Sequence, residues 1–349
     1  MDGDLYDSKI RSETREGKNV ISLTFNTDGA KVFLSNKKSM WPIQFLANEL
    51  DIKVRFKDVN VFLTGLWYGR GSPKMTTFFR PFTEELTSLA LDGVELVTST
   101  GRKTLYHVFA PFCSIDSGAK PKVARHKAHN GRFACGFCVH SNLPVPTYPS
   151  NQLRFIERDG RRRLSFSDRT HESIVKDMLE ADALDGQGKL KEANTGTANE
   201  THDNANGVLG ISCLAELPKF DLVRGFVIDY LHTLLPGVMA SLLRLLFDTP
   251  ELRTENHDPP SQIPAIEERL SSIRPPNCMA ARSRSFRERG DWKGKELRLF
   301  ALVYTLPCLK DLPKISSKHF KHVQKFVSAL QILLGSVITN YDLLKAERH

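Results

Sequence analysis

The stretch Leu105–Cys138, LYHVFAPFCSIDSGAKPKVARHKAHNGRFACGFC, decides how this chain reads. It opens as an apolar run rich in β-branched and aromatic residues, which predicts a strand. The run stops at a single acidic residue, Asp116. A strongly basic segment follows, then the pair Cys135-Gly136-Phe137-Cys138. A carboxylate at a strand end, beside positive charge, suits a metal ion acting on phosphate, because such a site needs oxygen ligands and a cationic surround.

Upstream, Asn19–Asn26 (NVISLTFN) has the same strand character and runs into Thr27-Asp28-Gly29, a turn signal. Ala30–Leu34 and Met40–Leu46 read as the next two strands of a meander. Asp28 is then either a turn former before glycine or a strand-end acid of a shared site. Asp58–Gly69 is apolar and ends in a glycine-rich turn. Thr76–Ala90 predicts a helix with Phe78, Phe79, Phe82, Leu86 and Leu89 on one face and Pro81 in its first turns. Val94–Val97 and Thr104–Ile115 are again strand-like, and residues 1–18 read as polar and irregular. Several strands, one helix and a further strand predict an α/β or α+β sheet domain.

Downstream, Ser117–Arg132 reads as helical after Pro121. That would lay Lys120, Lys122, Arg125, Lys127 and Arg132, with His126 and His129, along a phosphate backbone. Two thiols two residues apart form half of a zinc knuckle, with His171 and His232 as candidates to complete it. The alternative is a pair of buried cysteines. Arg154–Arg163 (RFIERDGRRR) reads as a basic hairpin carrying Arg161, Arg162 and Arg163. Thr170–Ala183 predicts a helix capped by Ser167 or Thr170, and Leu184–Asn206 a polar linker. Tyr230–Phe247 is the most hydrophobic helix. Asp229 and His232, three apart, share one side of it and either orient a ligand or leaving group or cap the helix. Gln262–Ile273, Asp291–Tyr304, Ser316–Leu334 and Val337–Glu347 predict further helices, and Asn277–Gly290 a basic irregular stretch. The second half is therefore mainly helical.

The composition is that of an ordinary globular chain: 349 residues, 40% hydrophobic and 26% charged, enough for one large or two ordinary domains. The net charge of +9 is uneven. Gly118–Arg169 holds 11 Lys+Arg against 3 Asp+Glu, and Leu270–Phe300 holds 8 against 3. Such clustering fits a polyanion, nucleic acid first, against the plainer reading of a solvated basic face. The first residues, MDGDLYDSKIRSETREGKN, do not read as a secretory signal. The most apolar stretch, Gly225–Phe247, is broken by Asp229, His232 and Arg244, so no membrane span is expected. Six cysteines without a secretory context predict reduced thiols or a metal site rather than disulfides.

Three carboxylates are candidates for one site: Asp28 and Asp116 after strands, and Glu296 on a late helix among Lys293, Lys295 and Arg298. Such a set suits two-metal phosphoryl transfer, in which ions ~3.5–4 Å apart clamp the attacking and leaving oxygens. The runs NVISLTFNTDGAKVF, SMWPIQFLANEL, VFLTGLWYG, FFRPFTEEL, FCSIDSGAKPKVARHKAHNGRFACGFC, LPKFDLVRGFVIDYLH and DWKGKELRLFALVYTLPCL go further. In that order they resemble the catalytic region of CACTA-type (En/Spm-like) transposases of animal genomes, from about Val20 to Leu309.

The resemblance implies an RNase H-like mixed α/β sheet with flanking helices, interrupted by a mainly helical insertion. Its segments would be 1–18, 19–134 with the first two acids, 135–285 as the insertion, and 286–349 with the third. It implies a DDE triad of Asp28 in NTDG, Asp116 in SIDSGAKP and Glu296 in WKGKELR. Cys135 and Cys138 match the family's CxxC, and Asp229 and His232 its DxxH signature. The implied activity is hydrolysis of a DNA phosphodiester, then attack of the freed 3′-OH on target DNA. Mg²⁺ or Mn²⁺ would sit on the triad, and Zn²⁺ at the cysteines with His171 or His232. The implied partners are transposon ends, target DNA and further copies of the chain, in the nucleus and away from membranes. Full-length members carry more chain on both sides, so this one reads as a core that lacks end-recognition segments. The alternative is a catalytically inactive, transposase-derived DNA- or protein-binding module. A third reading, an unrelated protein with a structural zinc, would keep Asp28 and Asp116 far apart.

Overall fold

The computed structural model describes residues 3–31, 38–128, 131–139, 167–186, 205–275, 284–335 and 337–348. The hairpin expected at Arg154–Arg163, most of the 184–206 linker and the end of the 30–34 strand lie outside them. The chain divides into two compact units, Met1–Ile228 and Asp229–His349.

The first unit is a mixed sheet with helices. Its strands are β1 (Asn19–Thr27), β2 (Ala30–Lys31), β3 (Lys38–Ala47), β4 (Phe62–Arg70), β5 (Val94–Val97), β6 (Lys103–Ser114) and β7 (Phe226–Val227). β1 and β3 pair antiparallel, and β4 lies antiparallel on the other side of β3. β1 pairs parallel with β6, as parallel strands can only do across a long crossover. That crossover contains β3, β4 and the helix Met75–Leu91. The far edge of β6 takes β5, antiparallel, along its start and β7, parallel, along its end.

Alternation along β1 fixes its two faces. Leu23, Phe25 and Thr27 are buried, while Thr24 and Asn26 point the other way. The buried face packs on the helix Met75–Leu91, which buries Met75, Phe79, Phe82, Leu86 and Ala90 at helical spacing. Phe25, fully buried, is the junction: its ring lies 6.3 Å from that of Phe79, 5.2 Å from Phe82 and 5.9 Å from Phe220. Phe78 and Leu89 are only partly buried at the edge of this core.

Two local expectations change. Residues 4–15 are helical, in the consecutive pieces Asp4–Tyr6, Asp7–Arg11 and Ser12–Arg15. A polar sequence hid this because the segment is pinned by one apolar side chain and one acid. Ile10 packs with Ala90 and Phe109. Buried Glu13 pairs with Lys18 at 2.6 Å and Lys219 at 2.5 Å, and these hydrogen bonds lower its pKa. The expected helix over Ser117–Arg132 shrinks to Lys120–Ala124, because Arg125 turns left-handed at φ 54° and ends it.

The regular elements of the second unit are helices among its described residues. Leu235, Met239, Leu243, Leu246 and Phe247 line one face of the run Tyr230–Asp248 and join a core with Phe286, Trp292, Phe300 and Tyr304. By length and composition alone that run could cross a bilayer, but its one-sided burial is that of a core helix.

Replacing Phe25 by Ala should destabilise the first unit by about 3–5 kcal/mol, since the ring is fully buried against three others. Urea denaturation followed by tryptophan fluorescence measures it; a loss under about 1 kcal/mol would show that this junction is not the core.

Candidate functional site at the strand ends

Asp28 and Asp116 reach one edge of the sheet through register. In the parallel pair, Asn26 stands opposite Ser114. Asp28 and Asp116 each follow that pair by two residues, so they leave the same edge on neighbouring strands. Asn26 reinforces the junction by donating its side-chain N–H to the Ser114 carbonyl at 2.5 Å. On β7, Val227 pairs with Ser114, and Asp229 comes two residues after Val227 in the sequence.

Asp28 is exposed, and its Oδ1 accepts from the Gly29 backbone N–H at 2.6 Å. It therefore forms its own turn while remaining at the surface. Asp116 is half-buried. Its Oδ1 accepts from the Ala119 N–H at 2.5 Å, and its carbonyl from the Lys120 N–H at 3.0 Å, so it opens the Lys120–Ala124 turn of helix. The other carboxylate oxygen makes no hydrogen bond among the described residues. One fixed and one open oxygen on Asp116, with exposed Asp28 at the adjoining strand end, are hard donors of the kind Mg²⁺ takes. Among the described residues no three His, Cys, Asp or Glu side chains stand close enough to hold a metal ion by themselves.

Glu296 belongs to the second unit. It is buried at 6% exposure and closes a capping box, its Oε2 accepting from the Lys293 N–H at 2.6 Å and its Oε1 lying 3.7 Å from Arg284. Asp229 caps the following helix, with Oδ1 accepting from the N–H groups of Leu231 and His232 at 2.9 and 3.3 Å. Its Oδ2 pairs with His232 Nδ1. The capping role foreseen for this pair is therefore present, and it also holds the half-exposed imidazole in one orientation.

The basic segment is more engaged than a phosphate-facing ladder would be. Lys122 is exposed, with its ammonium over the Trp41 ring at 5.0 Å. Lys120 is half-buried between the rings of Phe137 and Phe226, at 4.5 and 5.0 Å, and desolvation lowers its pKa. Arg125 donates to the Leu209 carbonyl at 3.0 Å, Arg132 stacks on Phe133, and Lys127 is half-buried. Arg161, Arg162 and Arg163 lie outside the described residues.

The residue that organises this region went unnoticed in the sequence. Arg169, 4% exposed, donates to four backbone carbonyls: Cys135 at 2.9 Å, Cys138 at 3.3 Å, Phe133 at 3.1 Å and Asn206 at 2.6 Å. Its guanidinium also meets Asp177 at 3.4 Å, and Asn206 donates to that carboxylate at 3.0 Å. Five acceptors around one buried cation tie the cysteine turn, the helix His171–Gly186 and the 205–208 turn together. Gly207, at φ +83°, fits here because a Cβ would stand 2.6 Å from the Phe133 carbonyl.

Within that frame the Phe137 N–H points at Cys135 Sγ at 3.4 Å, the geometry a thiolate metal ligand uses. Burial first, then the hydrogen bond its S–H donates to Cys135, push the Cys138 thiol up to about 11. The two sulfurs fit half a zinc site. His171 Nδ1 accepts from the Leu222 N–H at 3.3 Å; of the two caps expected for the helix it begins, Ser167 or Thr170, Thr170 fills the role, its hydroxyl accepting from the Ser173 N–H at 3.1 Å while the Ser173 hydroxyl accepts from the Thr170 N–H at 2.9 Å. The five described cysteines are unpaired. Compared with known proteins, the sequence matches no family model and no curated protein.

Arg169→Met should strand Asp177 and four carbonyls and cost about 3–5 kcal/mol, read by denaturation of the full chain. His126 gives a pH signature. Burial first, then the charge of Arg169, holds its pKa down to about 4. Its folded pKa lies below the unfolded ~6.5, so its contribution is complete above pH ~6.5 and is lost as pH falls toward 4, by up to about 3 kcal/mol. The difference in stability between the protein and His126→Asn should shrink across that window; a constant difference would contradict it.

Proposed function

We propose that this chain is the catalytic core of a DDE-type DNA transposase that cuts phosphodiesters and transfers the freed 3′-OH to target DNA. One observation carries the reading: the parallel β1–β6 register leads to Asp28 and Asp116 at the same sheet edge from positions remote in sequence. Two carboxylates at neighbouring strand ends are what a phosphoryl-transfer site needs as its fixed half. A mixed sheet whose parallel strands end together on acids also supports the RNase H-like form. The third reading required the two aspartates far apart, and the register speaks against it.

The chain's own groups divide the task. The Ala119 N–H fixes one oxygen of Asp116, and Asp28 is held by its own turn. Lys122, exposed and steadied on Trp41, is placed to meet a phosphate. Divalent ions bound by these acids would neutralise the phosphate and lower the pKa of the attacking water. Glu296 is the third acid by resemblance. Its carboxylate is committed to a helix cap. That commitment favours the second reading, a retained DNA-binding module without chemistry.

Nicking of supercoiled plasmid by the full chain separates the two. With Mg²⁺ or Mn²⁺ we expect cutting, reduced on the order of 10²-fold or more in Asp28→Asn and in Asp116→Asn. Binding should weaken with salt at a slope of about −0.9 per phosphate contacted. Binding of that kind without cutting would identify the module; affinity indifferent to salt would remove DNA as the partner.

A further inference from the structure

The sheet face turned away from the helix Met75–Leu91 holds a cavity of about 560 Å³, a volume typical of small-ligand sites. Its walls are mostly apolar, with Phe56, Phe112 and Val227 among them, and Arg55 is its single charged lining residue. Most of the polar lining is already satisfied. Thr24 donates to Asn48 at 2.7 Å, Asn26 to Ser114, and the Arg55 guanidinium is fixed on the carbonyls of Asn48 and Leu50. Two groups of the lining, the Gln44 amide and the Ser114 hydroxyl, have no side-chain hydrogen bond among the described residues.

We propose that this cavity receives one unstacked nucleobase of the DNA strand held at Asp28 and Asp116. The proposal rests on the reading of those acids as a DNA-cutting site. Aromatic walls with a free carboxamide make a base pocket: the rings take the π-face, and Gln44 can both donate to and accept from a base edge. An acidic lining would repel a nucleotide, and none is present. Position decides the rest. Asn26 and Ser114 line the cavity and precede Asp28 and Asp116 by two residues. Two strand residues span roughly 7 Å, about the distance from a base to its own phosphate. A phosphate at the acids thus leaves its base at the cavity mouth. Extrusion costs a few kcal/mol in a duplex and least at an unpaired end, so the pocket should prefer a flap or frayed terminus.

The test uses the full chain without divalent ions, so that no cutting occurs. The probe is a duplex with a short unpaired end containing 2-aminopurine, labelled with fluorescein at its far end. Anisotropy reports DNA binding, and 2-aminopurine emission reports removal of that base from its stack. The expected result is a rise in both. Val227→Phe, which fills the cavity from a half-exposed position, should cut the emission rise at least about five-fold while changing affinity less than about three-fold. Gln44→Ala should reduce it in the same direction. Binding with no emission rise, or an equal rise in Val227→Phe, overturns the pocket and leaves the DNA reading standing. Absence of any anisotropy change overturns both.

Discussion

The parallel pairing of β1 with β6 is the constraint on which the first unit depends. Its strands are separated by 88 residues at the Asn26–Ser114 contact, so none of this geometry is local. Antiparallel neighbours can be joined by a tight turn; a parallel neighbour requires the chain to travel back first. Here the return holds β3, β4 and the helix Met75–Leu91, and that helix covers the buried face. The same excursion that builds the core therefore brings two acids to one edge. A one-residue slip in β6 would turn Cys113 outward, away from the core it fills beside Phe25. Packing and site geometry are locked by one register.

A second, smaller constraint governs the segment after Asp116. Once the Lys120–Ala124 helix ends at Arg125, the chain makes few backbone bonds with itself, and its carbonyls need donors. Arg169 supplies them from 31 to 36 residues downstream. A planar guanidinium can serve several carbonyls at once, which a lysine ammonium cannot do with fixed geometry. Asp177 compensates the charge, so the cation remains buried without going unpaired. The cysteine turn is shaped by this clamp whether or not a metal binds there.

How much of this was legible follows from the range of the forces involved. β1, β6 and the helix Met75–Leu91 read well because each carries its own period of burial. The two strand-end aspartates could be named, but their adjacency could not, since register is a property of the pair. Arg169 was invisible for a related reason. It precedes its helix and meets Asp177 eight positions on, a spacing that no helical or strand period marks. In the sequence it entered only the charge count of Gly118–Arg169. Residues 4–15 failed differently, since their helix is held by contacts to Ala90, Phe109 and Lys219 rather than by propensity.

The engagement of the basic segment alters where DNA contacts should be sought, not whether they exist. Lys120 has its ammonium between two rings, Arg125 is bonded to Leu209, and Lys127 and Arg132 are half-buried. None of the four is free to swing along a backbone as an extended lysine does. Yet burial of a stem does not extinguish a field, and charges within a Debye length of about 8 Å still attract a phosphate. Fixed cations lose less conformational entropy on contact than mobile ones. A segment built this way would set the orientation of a bound strand near Asp116, with exposed Lys122 as its direct contact.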